Sequence, residues 1–200
     1  MAEECNLVKR IQAPLQEEVV RSLRVGDEVL IDGVIYAARD AAHKRMAEAI
    51  AQNLALPFNP QGQIIYYVGP CPAPPGRVIG SAGPTTSGRM DAYTPALLER
   101  GLRAMIGKGE RSQAVVQAMQ RYGAVYLAAV GGAGVYLAER IIAVETVAYP
   151  ELGPEALLKL EVESFPCIVA IDAYGGNIYQ EVRNRVKCPE YKEGKHDEKR

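Results

Sequence analysis

The stretch SAGPTTSGRMDAYTP, residues 81–95, gathers groups suited to holding an anion. Gly83 and Gly88 let the backbone approach a ligand closely. Thr85 and Thr86 supply two hydroxyls that donate or accept. Arg89 carries a planar fork that grips a carboxylate with two parallel hydrogen bonds, and Asp91 is a further candidate beside it. Two other corners offer related chemistry. In AARDAAHKR, Arg39 sits just before an expected helix, whose unpaired N–H groups and partial positive charge favour an anion; His43 falls in the first turn of that helix. In GKGER, residues 107–111, Lys108 stands between two glycines ahead of another helix. Plainer readings exist for each: a surface ion pair at Arg39, threonines bonded to their own backbone, an ordinary glycine loop. Together the three corners describe a site for a small molecule with two negative ends, one arginine for each end.

Other chemistries find less support. The phosphate-loop pattern G-x-x-x-x-G-K-[ST] is absent, and GGAGVYLAE does not meet G-x-G-x-x-G. The two histidines, His43 and His196, give no basis for a Ser-His-Asp constellation. Cys5, Cys71, Cys167 and Cys188 are widely separated and form no metal signature. A net charge of −1 argues against a general nucleic-acid binder. The most apolar run, AVYLAAVGGAGVYLA at 124–138, is interrupted by glycines and shorter than the ~20 residues of a membrane helix, so it is expected as buried strand and loop. MAEECNLVKR has no leader pattern, and a reducing cytoplasm with free thiols is the expected setting.

The elements that must position these corners follow from periodicity. EEVVRSLRVGDEVLIDGVIYAARD alternates apolar and polar residues, and reads as β around turns at Val25-Gly26-Asp27 and Asp32-Gly33. DAAHKRMAEAIAQNL switches to helical spacing, with Asp40 as the expected N-cap. QIIYYV is a short buried strand leading into a proline-rich loop. TPALLERG is expected as a helix capped by Thr94, and RSQAVVQAMQRYG as a helix closed by glycine. AVYLAAV and RIIAVETVAYP read as strands, PEALLKLEVESFP as a short helix with an extended piece, and CIVAIDAYGGNIYQEV as a hairpin around Gly175-Gly176. The order predicts layered α/β with α+β character. One domain is expected over residues 1–185, followed by a charged, mobile tail over 186–200.

At these residues the sequence resembles a known family. GSAGPTTSGRMDAYTP, with IIYYVGPCPAPPGRVIG before it and GKG after it, is similar to the β subunit or C-terminal domain of class I, iron–sulfur-dependent fumarate hydratase. It is similar also to the related β subunit of L-tartrate dehydratase. GDEVLIDGVIYAARDAAHKR and FPCIVAIDAYGGNIYQE extend the likeness over roughly residues 5–185.

The resemblance implies a swivelling β/β/α domain with layered sheets and helices on one side. It implies a hydro-lyase, active only with an α subunit that carries a four-iron, four-sulfur cluster, with no cofactor or metal bound by this chain. The expected assembly is a hetero-oligomer such as a dimer of heterodimers. The expected reaction is the reversible hydration of fumarate to L-malate in the tricarboxylic acid cycle, with tartrate dehydration as the alternative. A non-catalytic dicarboxylate-binding domain is the reading from another class. Neither nucleic acid nor membrane is an expected partner. Carried over residue by residue, the resemblance makes Arg39, Thr86, Arg89 and Lys108 substrate-binding and Thr85 the candidate base. His43, Gly83 and Asp91 lie in the matching segments without an assigned role. In such chemistry a carbanion forms beside a carboxylate, and cations clamping that carboxylate let charge spread onto its oxygens. The departing hydroxyl is expected to leave to a Lewis-acidic iron.

Overall fold

A computed structural model describes residues 8–185 of the 200-residue chain. The expected tail at 186–200, with Cys188 and His196, and also Cys5, lie outside the described residues. The strands are β1 (Lys9–Ala13), β2 (Glu28–Ala37), β3 (Ile64–Tyr66), β4 (Ala104–Gly107), β5 (Val125–Ala128), β6 (Ile141–Ala148) and β7 (Leu157–Ile171). The helices are α1 (Glu17–Ser22), α2 (Asp40–Ala51), α3 (Thr94–Glu99), α4 (Gln113–Tyr122), α5 (Gly134–Ala138) and α6 (Ile178–Arg185). Two 3-10 turns, Ser87–Met90 and Pro150–Glu155, complete the set.

The strands form one seven-stranded sheet in the order β1-β2-β3-β4-β5-β7-β6. An additional antiparallel pairing of β2 with β7 closes β2, β3, β4, β5 and β7 into a ring. β2, β3, β4 and β5 run parallel to one another, so each needs a crossover on one face. The crossovers carry α2, α3 and α4.

Side-chain alternation then separates two cores. Ile64, Tyr66, Ala104, Ile106, Val125 and Leu127 point into the closed sheet. Ile65, Tyr67, Met105 and Tyr126 point out, under Ala42 and Met46 of α2, Leu97 and Leu98 of α3, and Val115 and Met119 of α4. The result is a closed sheet around one core, covered on its outer face by α2, α3 and α4, an α/β architecture.

Several local expectations are corrected. Glu17–Ser22 is helix, not strand: Val20 and Leu23 are both buried at i, i+3 spacing, and Glu17 pairs with Arg21 at i, i+4. Asp32-Gly33 does not reverse the chain. It makes an irregularity within β2, where the register against β7 shifts and Asp32 accepts the Ser164 N–H at 2.8 Å. Gly175-Gly176 launches helix α6 rather than a hairpin. Asp172 accepts the N–H groups of Tyr174 and Gly176, both at 2.9 Å, in a tight turn that leaves only an isolated bridge between Ile171 and Asn177. Gly134–Ala138, expected as strand or loop, is a short helix. α4 keeps its expected limits, with the Ser112 hydroxyl as cap and Gly123 at its end.

Candidate functional site

The three corners lie at the carboxyl ends of the parallel strands β2, β3 and β4. Arg39 follows β2, Gly69 follows β3, and Lys108 follows β4. The loop holding Thr85 and Thr86 is stitched to the ends of β3 and β4. The Thr85 N–H donates to the Tyr67 carbonyl at 2.7 Å, and the Lys108 N–H donates to the Thr85 carbonyl at 3.3 Å. The Ser87 N–H donates to the Lys108 carbonyl at 2.9 Å, so Thr86 and Lys108 pair as an isolated parallel bridge. Backbone bonds thus fix the two threonines, while the Lys108 side chain stays exposed.

The 3-10 turn Ser87–Met90 carries the chain from Thr86 to Arg89 and swings that side chain toward α2. Arg89 Nε lies 2.9 Å from Asp40 Oδ1, and Arg39 Nη2 lies 3.7 Å from Asp40 Oδ2. Asp40 was expected as the N-cap of α2. Arg39 holds that position instead, with extended backbone and no side-chain cap, and Asp40 is the first helical residue.

The capping acid is Glu155, from the distant turn Pro150–Glu155. Its Oε2 accepts the Ala41 N–H at 3.1 Å, and its Oε1 lies 3.4 Å from Arg39 Nη2. A carboxylate on a helix N-terminus and an arginine is the arrangement an anionic ligand would adopt there. Arg39 Nε and Asp40 Oδ2 remain buried without a hydrogen-bond partner. Buried polar atoms are normally satisfied by protein or water, so these two have capacity for a further partner. Gly69 makes room for Arg39: a Cβ there would stand 2.8 Å from Arg39 Cδ and 2.9 Å from its Nη1.

His43 lies one turn along α2, beneath Arg39, and is fully buried. Its Nδ1 is 2.9 Å from the Arg39 carbonyl. A carbonyl only accepts, so Nδ1 carries the proton and Nε2 is a bare acceptor, here without a partner. Burial pulls the imidazole pKa down to about 4, and nearby Arg111 adds to the effect. His43 is neutral, with its ring edge-on to Tyr67 at 5.1 Å between centroids.

Asp91 is committed elsewhere. Its two oxygens accept from Arg111 Nε at 2.7 Å and the Ser112 N–H at 2.6 Å. Arg111, which sequence reading passed over as the end of GKGER, has no exposed side-chain surface. Its guanidinium lies 5.3 and 5.2 Å from the ring centres of Tyr67 and Tyr126, and donates to the Thr94 hydroxyl at 2.8 Å. Thr94, expected as a helix cap, turns its hydroxyl inward to donate to the Met90 carbonyl. The Tyr126 hydroxyl donates to the Gly109 carbonyl at 2.9 Å and therefore accepts from Ser87 Oγ at 2.8 Å. This buried network fastens residues 87–94 to residues 109–112 under the threonines and Lys108. Gly83 packs on Gly134 at the other side of the loop.

The described residues do not fit an iron–sulfur cluster. Among them, no three His, Cys, Asp or Glu side chains are grouped as a metal site. Cys71 is exposed and Cys167 buried, and desolvation pushes the Cys167 thiol pKa up, away from the thiolate a cluster requires. Among the described residues no helix is long and apolar enough to cross a membrane.

Comparison with known proteins places this geometry in a wider set. Residues 2–182 match the family described as Fumarase C-terminus. The chain is 40% identical over 190 residues to a Geobacillus stearothermophilus protein provisionally named class I fumarate hydratase, covering 92% of this chain and 36% of that protein. It is 41% identical over 163 residues to the anaerobic class I fumarate hydratase of Escherichia coli, covering 80% of this chain and 30% of that protein. It is 40% identical over 178 residues to a Methanocaldococcus jannaschii protein provisionally named L(+)-tartrate dehydratase subunit beta, covering 86% of this chain and 91% of that protein. The chain therefore spans about a third of the length of the fumarate hydratases it matches.

Proposed function

The chain belongs to the fumarase C-terminus family, and from that premise we propose that it is the dicarboxylate-binding portion of a class I fumarate hydratase. A second polypeptide would complete the site and carry the iron–sulfur cluster. One observation carries the reading: Arg39 and Arg89 converge on the two oxygens of Asp40, at a helix N-terminus whose cap is another carboxylate. In this reading a four-carbon diacid would bring its own carboxylates to the arginines that Asp40 and Glu155 now engage.

In this reading Arg39, Arg89 and Lys108 clamp the substrate carboxylates. The clamp stabilises charge that builds on the carboxylate oxygens as the neighbouring carbon loses its proton. Thr85 is the candidate base. A hydroxyl is a weak base at neutral pH and needs an activating neighbour, which the second polypeptide would supply. Thr86 adds a hydroxyl beside it. The reaction would be the fumarate–malate step of the tricarboxylic acid cycle, in the cytoplasm, in a hetero-oligomer.

L-tartrate dehydration is the second reading. The M. jannaschii relative, 40% identical, carries that name and motivates it. Anaerobic co-expression with the cluster-bearing polypeptide, and assay with L-malate, fumarate and L-tartrate, separates the two. Turnover of malate and fumarate is expected from the complex, and none from this chain alone. Thr85→Ala in the complex should lower kcat by roughly 100-fold or more, the ordinary range for a lost acid–base group, with dicarboxylate affinity within a few-fold of wild type. Turnover by the isolated chain would overturn the two-part reading; full activity of Thr85→Ala would remove the threonine's role. A diacid-binding module without chemistry would bind and never turn over.

A further inference from the structure

A second concavity lies away from the arginines. It is an apolar groove of about 410 Å³, walled by the start of β2, the end of β5, the middle of β7 and helix α5. Val8, Val130, Tyr136 and Ile168 line it, and each stays between 36% and 64% exposed. These large apolar side chains stand together around one groove rather than scattered over the surface. Of the lining residues only Glu28 is charged, so the groove lacks the converging polar groups that orient a small ligand. Cys167, on its wall, is a neutral thiol whose pKa is raised by burial, and it serves as a small hydrophobe.

We infer that this groove is the docking surface for the polypeptide that completes the enzyme, the counterpart of the remaining two thirds of the long relatives. The inference rests on the functional reading above. Two observations select this occupant. The matched family region is a C-terminus, and the E. coli relative is more than three times the length this chain covers. The rest of that protein therefore joins this region at its N-terminal end, where Val8 forms part of the groove.

The second observation is helix α5, which belongs to groove and site alike. Ala133, Tyr136 and Leu137 line the groove. On its other side the Gly134 carbonyl accepts the Ala82 N–H at 2.9 Å, and a Cβ on Gly134 would stand 2.9 Å from the Gly83 nitrogen. Just before the helix, a Cβ on Gly131 would stand 3.8 Å from Lys108 Cδ. A polypeptide seated in the groove bears on the segment that backs both Lys108 and the loop leading to Thr85.

The test measures binding of the co-expressed, anaerobically purified cluster-bearing polypeptide to this chain. Val130→Glu and Ile168→Glu place a charge in the groove; Ile142→Glu, on β6, places one at an exposed apolar site outside it. Circular dichroism and melting midpoints verify that each variant folds. Wild type and Ile142→Glu are expected to bind alike, and both groove variants at least tenfold more weakly. Groove variants that fold and bind like wild type overturn the inference while leaving the functional reading intact. Failure of wild type to bind overturns both. Self-association of the chain alone, abolished by Val130→Glu, assigns the groove to a second copy and overturns the proposed occupant.

Discussion

Arg39 and Arg89, fifty residues apart in sequence, stand on opposite oxygens of one carboxylate, that of Asp40. The parallel strands explain why they meet. Arg39 is delivered by the end of β2, and Arg89 by a turn pinned to the ends of β3 and β4. Neither arginine is locked by the core: their side chains are 23% and 51% exposed. They are positioned by charge on a rigid platform and stay available for exchange with an incoming anion.

Removing either arginine should therefore act on binding more than on folding. Arg39→Ala and Arg89→Ala are each expected to raise the KM for malate by about 10- to 100-fold, matching the ~1.5–3 kcal/mol of a hydrogen bond to a charged group. Melting midpoints should move little, because Asp40 and Glu155 also reach solvent. Arg89→Lys should recover only part of the loss, since an ammonium cannot reproduce the planar fork. Steady-state kinetics on the complex decides this, and an unchanged KM in both alanine variants would exclude the arginine pair from the site.

Glu155 competes with the ligand in this arrangement. Glu155→Gln keeps an oxygen for the Ala41 N–H but removes the negative charge beside Arg39. Dicarboxylate affinity is expected to rise several-fold at low salt, and the gain should shrink as salt screens the site. Calorimetric titration with malate reads the sign. Weaker binding would mean that the Glu155 charge orients Arg39 rather than substituting for substrate.

Much of this corner was legible from residue type alone. Arg39, Thr85, Thr86, Arg89 and Lys108 stand out because glycines, hydroxyls and cations rarely coincide in loops, and α2 and α4 because their apolar stripes have helical spacing. What stayed hidden depends on distant partners. Glu155 caps a helix by accepting the N–H of Ala41, 114 residues earlier, and nothing near it in the sequence signals that role. Arg111 reads as a solvent-facing cation until Asp91, Thr94, Tyr67 and Tyr126 are brought around it from separate segments. Asp40 has the right type and place for a cap, yet Arg89 captures its carboxylate. In EEVVRSL the apolar residues Val19, Val20 and Leu23 stand at i, i+1 and i+4, a helical spacing hidden by the alternation of the strand that follows, and burial of Val20 and Leu23 decides for helix.

Gly69 tests whether the site depends on close approach of the backbone. A methyl group there meets the Arg39 side chain at 2.8 Å and the Pro154 carbonyl at 3.2 Å. Arg39 is flexible and can move, so Gly69→Ala should fold with only a modest loss of stability while displacing the guanidinium. The expected result is a KM increase close to that of Arg39→Ala, with little further effect when the two substitutions are combined. Additive losses in the double variant would show that Gly69 acts independently of Arg39.

His43 makes stability depend on acid in a predictable direction. Its pKa falls from an ordinary 6.5 to about 4 in the folded chain, chiefly through burial, with Arg111 opposing the charge and Asp40 partly favouring it. Between these values the unfolded chain takes up a proton that the folded chain refuses. The neutral imidazole's contribution is therefore fully present above pH 6.5, is lost as pH falls toward 4, and changes no further below that. The loss has an upper bound of roughly 3–4 kcal/mol, at about 1.36 kcal/mol per pH unit. Urea unfolding between pH 7.5 and 4.5 should show wild type losing stability faster than His43→Asn, whose amide nitrogen stands near the place of Nδ1 and can donate to the Arg39 carbonyl. Parallel curves for the two proteins would mean that the imidazole is not held neutral in the folded state, and the neutral, proton-free Nε2 beneath Arg39 would have to be abandoned.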